Sequence, residues 1–169
     1  PDNTAPSSLN VGLVGVGGGG NKMVNAFLEL GFNKSLLVNT TGKDIPKNVA
    51  EEHVVLIPDS DGIGKNTDYG KEVLTQNGAI IEDALRIKLG KVDWLLVFAG
   101  GGGGTGSSVT ALHPVFERYM RSVQAGGNVV YIVSWPTAQE NLNPTIARNA
   151  LTLLNDVAPH PHVVLDNER

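Results

Sequence analysis

The sequence predicts an α/β protein with a doubly wound, mostly parallel sheet and helices on both faces. Three observations predict it. Apolar runs of strand length alternate with helical patterns along the 169 residues. Most of those runs, such as "WLLVF" at 94–98 and "NVVYIV" at 128–133, are continuous rather than alternating, which marks strands buried on both faces. Two glycine runs, at 17–20 and 100–104, each follow such a strand and precede a helical stretch. That is where open α/β sheets bind their ligands.

Taken in order, residues 1–8 are polar and form a loose tail, and "LNVGLVGV" (9–16) is the first strand. "NKMVNAFLEL" (21–30) gathers Met23, Val24, Phe27, Leu28 and Leu30 mostly on one helical face, with Gly31 as a stop. "SLLVN" (35–39) is the second strand, 43–52 a loop or short helix, and "HVVLIP" (53–58) the third strand. Residues 59–70 are dense in Asp, Gly, Asn and Thr and read as a long loop. A helix over 71–89 shows an irregularity near Gly78, and "VDWLLVFA" (92–99) is the strongest strand. Residues 107–125 form a helix started by serines and kinked at Pro114. A strand at 128–134, a loop at 135–144, a helix at 145–157 and a strand at 162–167 complete the pattern.

The length suits one domain with a real core. Glycine is about one residue in eight, 21 in all, against a usual share of roughly 7%. Ten of the 21 lie in the two runs and at Gly106, so the excess is local. A net charge of −4 gives no electrostatic footprint for nucleic acid. The absence of cysteine excludes disulfides and thiolate metal sites, and fits a cytoplasmic protein. No apolar run reaches the roughly 18 residues of a membrane span, and "PDNTAPSSL" lacks the basic start and apolar core of a signal peptide. The start at Pro1 and the end at "LDNER" suggest a segment of a longer protein.

A glycine loop between strand and helix offers backbone N–H groups and the positive helix end to a phosphate. The first run matches G-x-G-x-x-G at Gly15, Gly17 and Gly20, whose default reading is a dinucleotide site. That site expects a carboxylate for the ribose at the end of the second strand, where this chain has Asn39. The Gly-Lys pairs precede Asp44, Asn66, Glu72 and Val92, so none makes the Gly-Lys-Ser/Thr of a P-loop. Two glycine loops at neighbouring strands instead suit one polyphosphate held from two sides. The hydroxyls of Thr105, Ser107 and Ser108 are expected to add donors to its oxygens.

With both loops placed, the chain resembles the tubulin/FtsZ superfamily. "GVGGGGNKMVN" (15–25) resembles the first phosphate loop of FtsZ, and "GGGTGSS" (102–108) the tubulin signature loop. "LVNTTG" (37–42) and "LDNER" (165–169) look like the second-strand loop and the end of the sixth strand, so the likeness spans about 9–169. The resemblance implies a GTP-binding domain, truncated before the family's central helix and C-terminal domain, with GTP or GDP as its ligand. Gly18, Gly19, Gly20, Asn21 and Lys22 would meet the nucleotide from the first loop, and Gly102, Gly103, Gly104, Thr105 and Gly106 from the second. Glu140 would hold the ribose and Asn167 read the guanine edge, since an amide both donates and accepts. Lys22, Ser108 and Pro144 depart from the FtsZ pattern and leave the branch of the superfamily open.

Asp59, Asp61 or Asp68 could help place Mg²⁺ through water, although a solvated acidic loop is the simpler reading. His160 and His162 lack further ligands nearby, and His113 beside Pro114 reads as a helix-surface or packing residue. The resemblance further implies head-to-tail filaments, GTP hydrolysed at the subunit interface by an acid from the next subunit, and adaptor partners. Cell division and DNA, plasmid or phage positioning are the processes such filaments serve. The segment alone is expected to bind nucleotide and turn it over very slowly. An NAD(P)-binding oxidoreductase domain and a non-hydrolysing structural relative are the alternatives.

Overall fold

A computed structural model describes residues 10–57, 63–123 and 127–166. Among these, six strands form one sheet: β1 (Val11–Val16), β2 (Ser35–Asn39), β3 (Val54–Leu56), β4 (Trp94–Gly100), β5 (Asn128–Trp135) and β6 (His162–Asp166). Their order is β3-β2-β1-β4-β5-β6, and every neighbouring pair is parallel. The order reverses between β1 and β4, which lie in register from Val11 beside Trp94 to Val16 beside Ala99. The predicted fold class is the observed one. The tail at 1–8 and the residues Asp59, Asp61 and Asn167 lie outside the described residues.

Period-two alternation divides the sheet's side chains between two cores. Val14, Val16, Leu36, Val38, Val97 and Tyr131 face one side, against α3 (Gly78–Leu89), α4 (His113–Val123) and α5 (Pro144–Val157). Leu13, Leu37 and Phe98 face the other side, against Val24, Met23 and Phe27 of α1 (Gly17–Glu29). Both faces thus carry helices.

Four boundaries differ from the sequence reading, each for a physical reason. Helix α1 starts at Gly17, not at 21, so the first glycine run is itself the first helical turn. Glycine is a poor helix former, but here the turn runs tight beneath β4. A Cβ on Gly20 would be driven into the carbonyl oxygen of Phe98. The irregularity near Gly78 is a complete break between α2 (Thr67–Gln76) and α3, capped by Asn77, whose Nδ2 donates to Val73 O at 2.8 Å. Helix α2 also begins inside the expected loop, because Asn66 Oδ1 accepts from Tyr69 N at 3.0 Å and caps it.

The helix expected over 107–125 is a 3-10 stretch, Gly106–Leu112, followed by α4. Pro114 sits in the first turn of α4, where its missing N–H costs nothing, so it opens the helix rather than kinking it. Pro144 plays the same part in α5 behind Asn143, whose Oδ1 accepts from Thr145 N at 2.9 Å.

Candidate functional site

The carboxyl ends of β1, β2, β4 and β5 wall a cavity of about 690 Å³, within the usual range for small-molecule sites. It lies at the reversal of strand order, where both glycine runs arrive. The runs touch there. Gly17 has φ of 78°, and a Cβ on it would meet Gly106 N at 2.8 Å, while one on Gly19 would meet Gly100 Cα at 3.2 Å. Only glycine allows this approach at Gly17. Helix α1 carries no side-chain cap and no acid in its first turn, so the positive end of its dipole is left for a ligand at the cavity.

Of the residues singled out in the sequence, Gly18, Gly19, Lys22, Gly102, Gly103, Gly104, Thr105, Gly106 and Glu140 line this cavity together. Gly20 and Asn21 do not. Gly20 is the packing contact beneath β4, and Asn21 is fully buried. Its Nδ2 donates to Gly15 O at 2.9 Å and Val38 O at 3.2 Å, and its Oδ1 accepts from Asn39 Nδ2 at 2.7 Å. Asn39 Oδ1 in turn accepts from Thr40 N at 2.7 Å and Thr41 N at 3.2 Å. Asn21 therefore ties the carboxyl ends of β1 and β2 and shapes the loop after β2. Asp68 stands exposed on the first turn of α2, away from the cavity wall.

The hydroxyls of Ser107 and Ser108 correct the expectation that they face phosphate, whereas Thr105 stays at the cavity wall. Thr105 Oγ1 pairs with Thr40 Oγ1 at 2.9 Å, linking the loops after β4 and β2. Ser107 and Ser108 are fully buried and turned toward α2. Ser107 Oγ lies 2.5 Å from Thr67 Oγ1, while Ser108 Oγ donates to Thr67 O at 2.9 Å and to Gly104 O. Asn149 of α5 closes the network, donating to Lys65 O at 2.9 Å and Gly102 O at 3.2 Å and accepting from Thr67 Oγ1 at 3.0 Å. The Ser107 and Ser108 hydroxyls thus find their partners in α2 and the loop itself, as buried polar groups must.

Sequence reasoning missed part of the wall: Asn39, Thr40, Thr41, Lys43 and Asp44 after β2, Gly64 and Lys65 before α2, and Ser134 and Ile146. The "NTTG" motif gave a signal for the first of these groups, but no spacing pattern marks Lys65. Three lysines, Lys22, Lys43 and Lys65, and two acids, Asp44 and Glu140, line the cavity. None of these lysines forms an ion pair with a described residue. Glu140 is fixed by Thr137, whose N donates to its Oε1 at 2.9 Å. Among the described residues, no three His, Asp or Glu side chains gather to hold a metal. An uncapped helix start, two glycine runs and three lysines with no ion pair to a described residue thus meet in one cavity.

The family model for the Tubulin/FtsZ family, GTPase domain, matches residues 10–169. The chain belongs to the Tubulin/FtsZ family. The cell division protein FtsZ of Mycoplasmopsis pulmonis is 27% identical over 172 residues, covering 99% of this chain and 42% of that protein. The structure of CetZ from Methanosaeta thermophila superposes with a TM-score of 0.80 at 25% identity, over 95% of this chain and 47% of that one. The GTPγS-bound protofilament of CetZ2 from Haloferax volcanii shares the fold, with a TM-score of 0.75 at 24% identity over 95% of this chain and 50% of that one. The chain thus spans about half the length, or less, of these relatives. Membership of the Tubulin/FtsZ family disfavours the oxidoreductase alternative, although the strand order is also that of dinucleotide-binding folds. Among the described residues no helix is long and apolar enough to cross a membrane.

Proposed function

We propose that this chain is the guanine-nucleotide-binding part of a GTPase that assembles head-to-tail into filaments. The observation that carries the reading is the meeting of both glycine runs in one cavity, with Gly17 packed on Gly106 and Gly19 on Gly100. The N–H groups of Gly18 and Gly19 and those of Gly102–Gly106 would hold the phosphates. Glu140, set by Thr137, would take the ribose hydroxyls, and Asn167 the guanine edge. Asn21 supports the site from below by bonding to Asn39.

Phosphoryl transfer needs positioning and neutralised charge more than covalent help from the protein. The described residues would supply both, but none among them is an evident base for water. Glu140 is engaged by Thr137, and Asp44 stands beside Gly18 in the turn after β2. The acid that activates water would come from a neighbouring subunit, as the family resemblance implies, so turnover depends on assembly. Such head-to-tail contacts do not close and so propagate as filaments. A Mg²⁺ ion would ride on the nucleotide's own phosphates, since the described residues build no cage for it. Filaments of this kind would serve division or DNA, plasmid or phage positioning in the cytoplasm, with adaptor proteins as further partners.

Titration with a fluorescent GTP analogue, competed by GDP, ATP and NAD, tests the reading. GDP should displace the analogue while ATP and NAD do not, and turnover per chain should be very slow at low protein concentration. Displacement by NAD alone, or fast turnover by dilute protein, would contradict it. Tight nucleotide binding without turnover at any concentration would favour the non-hydrolysing relative.

A further inference from the structure

Ser134 stands near the end of β5, beside both glycine runs. Its backbone is fixed: it pairs with Gly100 of β4 and Leu165 of β6, and its carbonyl accepts from Gly101 N at 3.1 Å. Two residues earlier, Ile132 packs on the core cluster beneath α1, so period-two alternation turns the Ser134 side chain to that face as well. There its hydroxyl lies where the runs meet. A Cβ on Gly100 would sit 3.2 Å from Ser134 Oγ, and one on Gly19 3.8 Å from it.

This hydroxyl differs from the others at the cavity. Thr40 and Thr105 pair with each other, and Thr41 Oγ1 accepts from Lys43 N at 3.3 Å. Ser134 is only 8% exposed, lines the cavity, and has no hydrogen-bond partner for its hydroxyl among the described residues. A nearly buried hydroxyl left in this way destabilises the folded chain. A ligand oxygen at the cavity would offset that.

The strand order says which ligand atom comes there. β5 lies between β4, which leads into the second glycine run, and β6, which precedes Asn167. A nucleotide with its phosphates along the runs and its base at Asn167 crosses the end of β5, over two strand spacings of about 4.8 Å each. The part that crosses is the sugar and the phosphate attached to it. Glu140 takes the sugar hydroxyls in that reading, and the closeness of Gly19 and Gly100 sets Ser134 at the phosphate end. We propose that the Ser134 hydroxyl donates to the sugar-linked phosphate of the guanine nucleotide, and so anchors diphosphate and triphosphate alike. The proposal rests on the nucleotide reading above. The bond is charge-assisted, and the strand holds its donor in place beforehand.

The test is calorimetric titration of the full chain with GDP and with GTPγS, together with ³¹P NMR of bound GDP, for wild type, Ser134→Ala and Ser134→Thr. Ser134→Ala should weaken both ligands by the same factor, about tenfold. Its ligand-free melting temperature should hold or rise, because the variant removes a hydroxyl that has no partner. The resonance of the sugar-linked phosphorus should move in Ser134→Ala while that of the terminal phosphorus stays. Ser134→Thr keeps the hydroxyl and should restore both affinity and resonance. Unchanged affinity in Ser134→Ala, a loss for one ligand alone, a melting temperature that falls with the affinity, or a sugar-linked phosphorus that does not respond would overturn the role of Ser134 and leave the cradle standing. Failure of wild type to bind either ligand would overturn the nucleotide reading itself, and the Ser134 proposal with it.

Discussion

Gly20 and Gly103 show how two glycines of the same composition bias do different work. Gly20 packs on backbone, so the Cβ of Gly20→Ala would collide with the Phe98 carbonyl, an atom that cannot move without shifting β4. Gly103 has nothing within 4 Å of an added Cβ and opens to the cavity. We expect Gly20→Ala to lower stability by about 3 kcal/mol. Gly103→Ala should leave urea unfolding nearly unchanged while weakening nucleotide binding. Equal destabilisation by both would contradict the division. The glycine spacing in the sequence announced a cradle, but not which glycines meet ligand and which meet protein. The resemblance places Asn21 with the ligand-facing glycines, whereas the structure buries it. Its true partners, Val38 and Asn39, are supplied by β2, and nothing local to residue 21 encodes them.

At the scale of elements, the strands were legible nearly to their ends, because a parallel strand covered on both faces must be a continuous apolar run. The helix boundaries were less so. Local propensity sets Gly17–Gly20 outside a helix, while the tight passage under β4 draws them in. The 3-10 stretch Gly106–Leu112 was likewise hidden, since its geometry follows the bonds of Ser107 and Ser108 to α2 and Gly104.

The junction of α4, β5 and the turn before β6 carries a titratable cluster. The His113 ring stacks on His160 with centroids 3.9 Å apart, its Nδ1 lies 2.6 Å from Tyr131 Oη, and its Nε2 lies 3.4 Å from Glu117. His162 Nδ1 lies 2.8 Å from His160 O. Burial, then the charge of His160, holds the His113 pKa below its ordinary 6.5, and Glu117 only partly opposes this. The folded state thus binds fewer protons than the unfolded chain as pH falls through 6.5, and stability drops toward acid. Urea midpoints should fall between pH 7.5 and pH 5.5, and His113→Gln should flatten part of that fall. An unchanged slope in the variant would assign the pH dependence elsewhere.

For the whole molecule, the decisive fact is topological. A sheet ordered β3-β2-β1-β4-β5-β6 sets β1 beside β4, so two glycine runs more than eighty residues apart in sequence become one surface. The alternation of elements predicted the sheet, and the paired runs predicted the site. The lysines came only with the fold, because Lys43 and Lys65 are brought to the cavity by loops after β2 and β3. Clamped loops, an uncapped helix start and lysines with no ion pair among the described residues organise the cavity in advance, which would lower the ordering cost of binding a ligand.

The measurement that tests this most directly is to titrate GDP into the ¹⁵N-labelled protein and follow the glycine amides by NMR. The account predicts that Gly18 and Gly19 shift together with Gly102, Gly103 and Gly104, all half-complete at one ligand concentration. Shifts confined to one run, or two runs saturating at different concentrations, would show that they do not hold a single polyphosphate.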